Sequence, residues 1–303
     1  MRYAITIGTY DGVHLGHQKV FSILTNYSFI HNLKTVVIYF PIPPRLCILK
    51  RQLNNLITLP QEREKIIYEN KIDIVESVDF TEKIRNLSAS RFFYDYVIRK
   101  YKPKFIVVGK DFSVGYNREG NNKWLVDFCI ENSIDLQIID FIKYNQHKVS
   151  SSLIRSFLHK GNIRDANICL GRMYSLSGIV VKGAGVGKKI GFPTANLKTD
   201  PLKITPRGVY AVKIYLQNKS YSGVASIGTR PTLKTLNNAL ICEVHIFDFN
   251  KDIYGKNIEI KFVSRIRDEK KFSSAKTLIT RIKKDILIAK DILCKFERSE
   301  IKI

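Results

Sequence analysis

Two domains of different class follow from three features of this 303-residue sequence: an α/β domain on a parallel sheet, then a small antiparallel β-barrel with a terminal helix. Over the first half, strand-like runs alternate with helix-like ones, the pattern of a parallel sheet covered by helices. Beyond Gly171 helical periodicity stops, and short alternating strands with Gly, Pro and Asn turns take over. From Ser273 an amphipathic helix returns, with Leu278, Ile282, Ile286 and Ala289 on one stripe and lysines outside. The expected domains are residues 1–170 and 171–303, each long enough for its own core.

In the first domain, residues 3–9 form a buried strand and Tyr10 to His17 lead through a turn into an apolar-periodic helix. Strands are then expected at 35–40, 72–77, 105–109 and 136–140, and helices at 61–70, 88–100 and 122–132. Two short helices, 151–159 and 163–170, are broken by Gly161-Asn162. In the second domain strands are expected at 174–182, 208–217, 220–227, 241–247 and 257–265, with a tight turn at Asn218-Lys219. Five or six such strands suit a small closed barrel.

The bulk composition excludes several classes. A hydrophobic content of 45% is that of a soluble globular protein. Met1-Arg2 precedes only a short apolar run, and no stretch is apolar for long enough to span a bilayer, so a cytoplasmic chain without membrane contact is expected. Cys47, Cys129, Cys169, Cys242 and Cys294 are scattered without C-x-x-C spacing, which argues against a disulfide framework and a zinc site. The net charge of +23 raises a nucleic-acid reading, but the charges are spread over the whole chain with no basic run interleaved with aromatics. No specific nucleic-acid partner is expected, and the oligomeric state is left open.

Ligands of open α/β sheets sit at the carboxyl ends of strands. There stands Gly8-Thr-Tyr-Asp-Gly-Val-His-Leu-Gly-His17. His14 and His17, three apart at a helix start, can present two imidazoles to an anion that the free N–H groups already favour, and Gly16 lets a nucleotide approach the backbone. On the residues alone, two incidental surface histidines fit as well. The stretch resembles the nucleotidyltransferase superfamily and, within it, the flavin adenylyltransferases, with Tyr10 where that family has Phe. The resemblance implies a Rossmann-like sheet and an ATP site with His14 and His17 catalytic and Gly8, Tyr10, Asp11 and Gly16 around the nucleotide. Further matches are Gly109-Lys-Asp-Phe-Ser-Val-Gly115, which implies a flavin contact for Asp111 where an Asx-turn cap is the local alternative, and Ser150-Ser-Ser-Leu-Ile-Arg155. The latter implies ATP contacts for Ser151, Ser152 and Arg155, where the sequence itself gives only a helix cap. Phe40-Pro-Ile-Pro-Pro44 departs from the family: Pro43 stands in place of a histidine and cannot donate a hydrogen bond.

The second domain opens on Gly183-Ala-Gly-Val-Gly-Lys-Lys-Ile-Gly-Phe-Pro-Thr-Ala-Asn196. Gly183, Gly185 and Gly187 let backbone N–H groups turn toward an anion, and Lys188 adds charge, although such loops also occur as plain turns. Pro193 keeps Phe192 extended, so Thr194 and Asn196 project to one face and offer a hydroxyl and an amide oxygen that suit a Mg²⁺ bridging nucleotide phosphates. Gly191 to Asn196 resembles the signature of riboflavin kinases, whose Thr and Asn hold Mg-ATP. Leu240-Ile-Cys-Glu-Val-His-Ile-Phe-Asp-Phe249 resembles the segment carrying that family's base, which maps onto Glu243; an exposed strand carboxylate is the local alternative. Arg267 and Phe272 match a flavin-site segment, and Gly228-Thr-Arg-Pro-Thr232 also matches the family without an assigned role.

The motifs, in this order over nearly the whole chain, resemble a bifunctional riboflavin kinase and FMN adenylyltransferase. That implies riboflavin, FMN and ATP as substrates, Mg²⁺ as cofactor, and FAD as the final product. A kinase with a degenerate or differently specific nucleotidyltransferase domain is the alternative that Pro43 motivates. A basic nucleic-acid-binding barrel is the rival of another class, distinguished by salt-sensitive oligonucleotide binding without flavin turnover.

Overall fold

The strand Tyr3–Gly8 (β1) lies at the centre of a five-stranded parallel sheet with Lys34–Tyr39 (β2), Ile74–Ser77 (β3), Phe105–Gly109 (β4) and Asp135–Ile139 (β5), in the order β3-β2-β1-β4-β5. The computed structural model describes residues 2–48, 55–229 and 240–300. β1 is apolar almost throughout because both its faces are covered. Ile5 and Ile7 join one core with Val36, Ile38, Ile106, Val108, Phe93 and Leu125. Ala4 joins the other with Val37, Tyr39, Val107, Phe21 and Leu24.

The helix Leu15–His31 (α1) covers that second face and ends on Asn32, whose left-handed backbone (φ 52°) accommodates a C-terminal cap. Pro60–Glu69 (α2) starts on a proline, with the Glu62 carboxylate accepting from Leu59 N at 2.9 Å. The helical stretch expected at 88–100 runs from Ala89 to Tyr101 with a widened turn at Tyr94–Ile98. Asn122–Glu131 (α3) is capped by the Asn121 side chain, which accepts from Lys123 N and Trp124 N.

The chain divides into the units Met1–Leu153 and Ile154–Ile303, earlier than the expected boundary at 170/171. The helix Ser151–His159 (α4) spans the division and Ile163–Leu170 (α5) falls wholly in the second unit. Asn167 explains the latter: its amide donates to Phe262 O at 2.9 Å and accepts from Tyr174 N at 2.7 Å, joining α5 to the barrel.

The barrel comprises Ser175–Val181 (β6), Ala195–Thr199 (β7), Gly208–Leu216 (β8), Lys219–Thr229 (β9), Leu240–Ile246 (β10) and Asn257–Arg267 (β11), closed in the order β6-β7-β10-β9-β8-β11. β7 continues the extended run that the sequence predicts from Thr194 to Asn196. The β8–β9 turn is Gln217-Asn218, both at positive φ, one residue before the expected pair. Ala275–Glu300 (α6) lays Ile286, Ala289, Ile292 and Leu293 on Val209, Ala211, Val224 and Phe247 of the barrel. Of the segment 228–232, Arg230 to Thr232 lie outside the described residues.

Candidate active sites

At the carboxyl end of β1 the chain turns through Tyr10, Gly12 and Val13, all at positive φ (47°, 86° and 40°), before His14 opens α1. The rings of His14 and His17 stack with centroids 3.6 Å apart, and Tyr10 supports His17 edge-on at 5.0 Å. Gly8 lies against the Tyr10 ring and Gly16 against the His14 ring. His14 Nδ1 is buried and makes no hydrogen bond among the described residues. Burial pulls the His14 pKa down to about 4, against opposing fields from Asp11 and Asp111, with Lys148 reinforcing the shift. The stacked pair opens a helix with no acidic residue in its first turn, where free N–H groups favour an anion.

Three residues expected around the nucleotide are bonded within the protein. The Asp11 carboxylate is fully buried: it accepts from Ile57 N at 3.1 Å and Thr58 N at 3.0 Å and pairs with Arg63 Nη2 at 3.2 Å. Tyr10 is buried with its hydroxyl on Thr6 Oγ1 at 2.7 Å, so both side chains stand behind the histidines as supports. Ser151 does not cap α4. Its hydroxyl donates to Asp11 O at 2.8 Å, while Ser150 Oγ accepts from Leu153 N; Ser152 is exposed and Arg155 comes one turn later in the second unit. Asp111 is exposed and pairs with Lys148 Nζ at 2.6 Å, which also lies 3.6 Å from the Phe141 ring centroid. Pro43 O accepts from Leu46 N at 2.8 Å and starts the helical turn Pro44–Ile48. Lys148, Thr58 and Arg63 were missed in the sequence: a single lysine among 50 Lys and Arg carries no signal, and Arg63 sits in an EREK run that resembles a solvated face.

In the second unit, strand pairing assembles the site. Asn196 on β7 lies directly opposite Glu243 on β10, so the two side chains share one face of the barrel wall. Thr194 immediately precedes β7. His245, two residues beyond Glu243 on the same face, places Nδ1 2.8 Å from Pro193 O and so ties β10 to the backbone just before Thr194. Glu243 and His245 are half-buried and alternate with buried Cys242, Val244 and Ile246, whose side chains face the core.

The glycine loop folds over this face. Gly185 is left-handed (φ 68°) and starts a one-turn helix, Val186–Lys189, closed by Phe192 N donating to Gly187 O at 2.8 Å. A Cβ on Gly187 would stand 3.1 Å from Thr194 Oγ1, and one on Gly183 would overlap the Asn196 amide. The absence of a side chain at Gly183 is thus what lets the Asn196 amide lie where it does. Lys188 is exposed on the one-turn helix. Gly183→Ala is expected to displace the Asn196 amide by roughly 1 Å and to lower catalysis at this face about 10²-fold, with little change in melting temperature. Steady-state rates beside a thermal melt check this; an unchanged rate would mean that the Asn196 position is not used.

Arg267 and Phe272, expected at a flavin site, lie beside α6. Arg267 Nε and Nη2 donate to Asp285 of α6 at 2.9 and 2.8 Å, Nη1 donates to Asp268 O at 2.8 Å, and the Phe272 ring lies 5.6 Å from the guanidinium. This guanidinium fastens α6 to β11. Among the described residues no three His, Cys, Asp or Glu side chains gather to hold a metal, and no helix is long and apolar enough to cross a membrane.

Comparison with known proteins decides the family. Residues 1–153 match the family described as FAD synthetase and residues 170–293 that described as riboflavin kinase. The bifunctional riboflavin kinase/FMN adenylyltransferase of Buchnera aphidicola subsp. Acyrthosiphon pisum is 37% identical over 285 residues, covering 94% of this chain and 91% of that protein. The chain belongs to this family. Bifunctional riboflavin kinase/FMN adenylyltransferases of Bacillus subtilis (35% identical, 93% and 89% covered) and Escherichia coli K12 (34%, 95% and 91%) are similar over comparable lengths. A crystal structure described as a macrolide-efflux protein from Streptococcus pneumoniae superposes with a TM-score of 0.84 at 30% identity, covering 94% of this chain and 92% of that one. The parallel-sheet unit is therefore the adenylyltransferase half and the barrel the kinase half. Residues 154–169, which hold most of α5, fall between the two matched stretches.

Proposed function

We propose that the barrel phosphorylates riboflavin with ATP to give FMN, and that the parallel-sheet unit joins FMN to AMP to give FAD and pyrophosphate. The observation that carries the kinase assignment is the register of Asn196 opposite Glu243 beneath the glycine loop. Glu243 accepts the proton of the ribityl hydroxyl as it attacks the γ-phosphorus. His245 holds the backbone before Thr194, and Lys188 and the loop N–H groups stabilise the phosphates.

Thr194 and Asn196 fit a Mg²⁺ ion. Their hydroxyl and amide oxygens are neutral hard donors, and the Gly183 gap gives the amide its place, so these two residues would hold the ion from the protein side. Such an ion supplies charge neutralisation on the transferring phosphoryl group. In the other unit His14, His17 and the first turn of α1 hold the ATP phosphates while the FMN phosphate attacks the α-phosphorus and pyrophosphate leaves; no covalent intermediate is needed, and catalysis rests on positioning and charge stabilisation. Asp111 and Lys148, beside the histidines, would contact flavin or nucleotide.

Pro43 favours the second reading, a kinase with an idle nucleotidyltransferase unit, because its ring offers no hydrogen-bond donor where the family has a histidine. Supplying FMN and ATP directly separates the two readings. FAD formation supports two working sites, and its absence beside intact riboflavin phosphorylation supports the second.

A further inference from the structure

We propose that Arg63 is the positioning residue of the adenylyl-transfer site, a buried guanidinium that fixes three loops at the carboxyl edge of the sheet. The inference rests on reading the His14 and His17 loop as the nucleotide site. Arg63 is on α2 and is fully buried, a rare place for arginine unless its donors are all employed. Here they are. Nη1 donates to Thr9 O at 2.9 Å and to Phe40 O and Pro41 O at 3.0 Å each; Nη2 donates to Thr58 O at 3.0 Å and Asp11 Oδ1 at 3.2 Å; Nε donates to Thr58 Oγ1 at 3.3 Å.

Those acceptors come from three segments. Thr9 and Asp11 belong to the turn after β1 that carries the histidines, Phe40 and Pro41 to the loop after β2, and Thr58 to the approach to α2. One planar fork therefore sets the spacing between loops that the sheet alone leaves free. Thr58 extends the hold, because its hydroxyl accepts from Gly12 N at 2.9 Å and donates to Asp11 Oδ1 at 3.2 Å. Gly12 and Val13 are at positive φ immediately before His14, and a non-glycine residue persists there only where surrounding bonds over-determine it. Through these bonds Arg63 fixes the backbone from which both imidazoles project. The loop after β2 keeps its place by the same bonds although Pro43 offers no donor.

A buried ion pair adds little net stability against an apolar replacement, so a role in stability alone does not account for so many bonds directed at one edge of the sheet. Arg63→Lys keeps the charge but offers a compact ammonium that cannot reach acceptors spread along a plane. The measurement is kcat and KM for FMN adenylylation, divided by the folded fraction of the first unit from circular dichroism at assay temperature. Riboflavin phosphorylation by the same chain serves as internal reference. A fall of about 10²-fold per folded molecule, larger in kcat than in KM for ATP, is expected. Wild-type kinetics per folded molecule would overturn the proposal, since a purely structural residue changes only how much protein is folded. If Arg63→Lys does not fold, Thr58→Val removes only the hydroxyl link; a loss of at least about 10-fold is expected and an unchanged rate overturns the proposal. The double variant His14→Ala, His17→Ala is run alongside. Normal FAD synthesis by it would defeat the site reading itself, whereas its failure beside an active Arg63→Lys would defeat the Arg63 proposal alone.

Discussion

Glu243→Gln is expected to slow riboflavin phosphorylation by about 10²–10⁴-fold, the usual contribution of a positioned general base. The change preserves side-chain volume and the outward position between buried Cys242 and Val244, so β10 and its pairing with β7 should persist. What is lost is the capacity to take a proton opposite Asn196. FMN adenylylation, carried by the other unit, should keep its wild-type rate. Initial rates with riboflavin and with FMN as separate substrates test both halves. Unchanged phosphorylation would remove Glu243 from the mechanism and return it to the role of a strand carboxylate.

Replacing His14 and His17 together with alanine is expected to reduce adenylyl transfer by about 10²–10³-fold, the loss typical of removing preorganised donors to developing charge. Kinase activity should be spared. The burial of His14 adds a pH signature that the same variant abolishes. Its pKa is near 6.5 when unfolded and about 4 in the fold, so the unfolded chain binds a proton that the native chain refuses between those values. Stability from this group is complete above about pH 6.5 and is lost as pH falls toward 4. A bound phosphate favours the imidazolium, so ATP binding near pH 6 should take up protons. Calorimetric titrations in buffers of different ionisation heat would detect the uptake, and its persistence without His14 would assign it elsewhere.

The sequence was most legible where local chemistry and tertiary context agree. α4 and α5 occupy the expected 151–159 and 163–170 because Gly161, at φ 69°, forces the break and Asn162 caps α5, its side chain accepting from Asp165 N. β1 and β4 were visible as apolar runs because both faces of the sheet are covered. β7 was legible only as the extended run from Thr194 to Asn196; Ala-Asn-Leu-Lys-Thr has little strand propensity and only Leu197 is buried, so pairing with β6 and β10 completes the strand. The kinase motif was recognisable from Thr194 and Asn196, but the register that sets Asn196 against Glu243 joins segments far apart in the chain. Arg267 and Asp11 show what a motif leaves out: it marks a residue that matters without naming its partners in the protein. Each proved to hold a buried carboxylate or guanidinium partner, a pairing that no local pattern announces.

The central claim is that one chain carries two working sites in series. Its most direct test is a time course of purified protein with riboflavin, ATP and Mg²⁺, with the flavins separated by chromatography. The account predicts that FMN rises first and then declines as FAD appears. Riboflavin left unconverted while its binding is intact, or FMN that accumulates with no FAD, would contradict it.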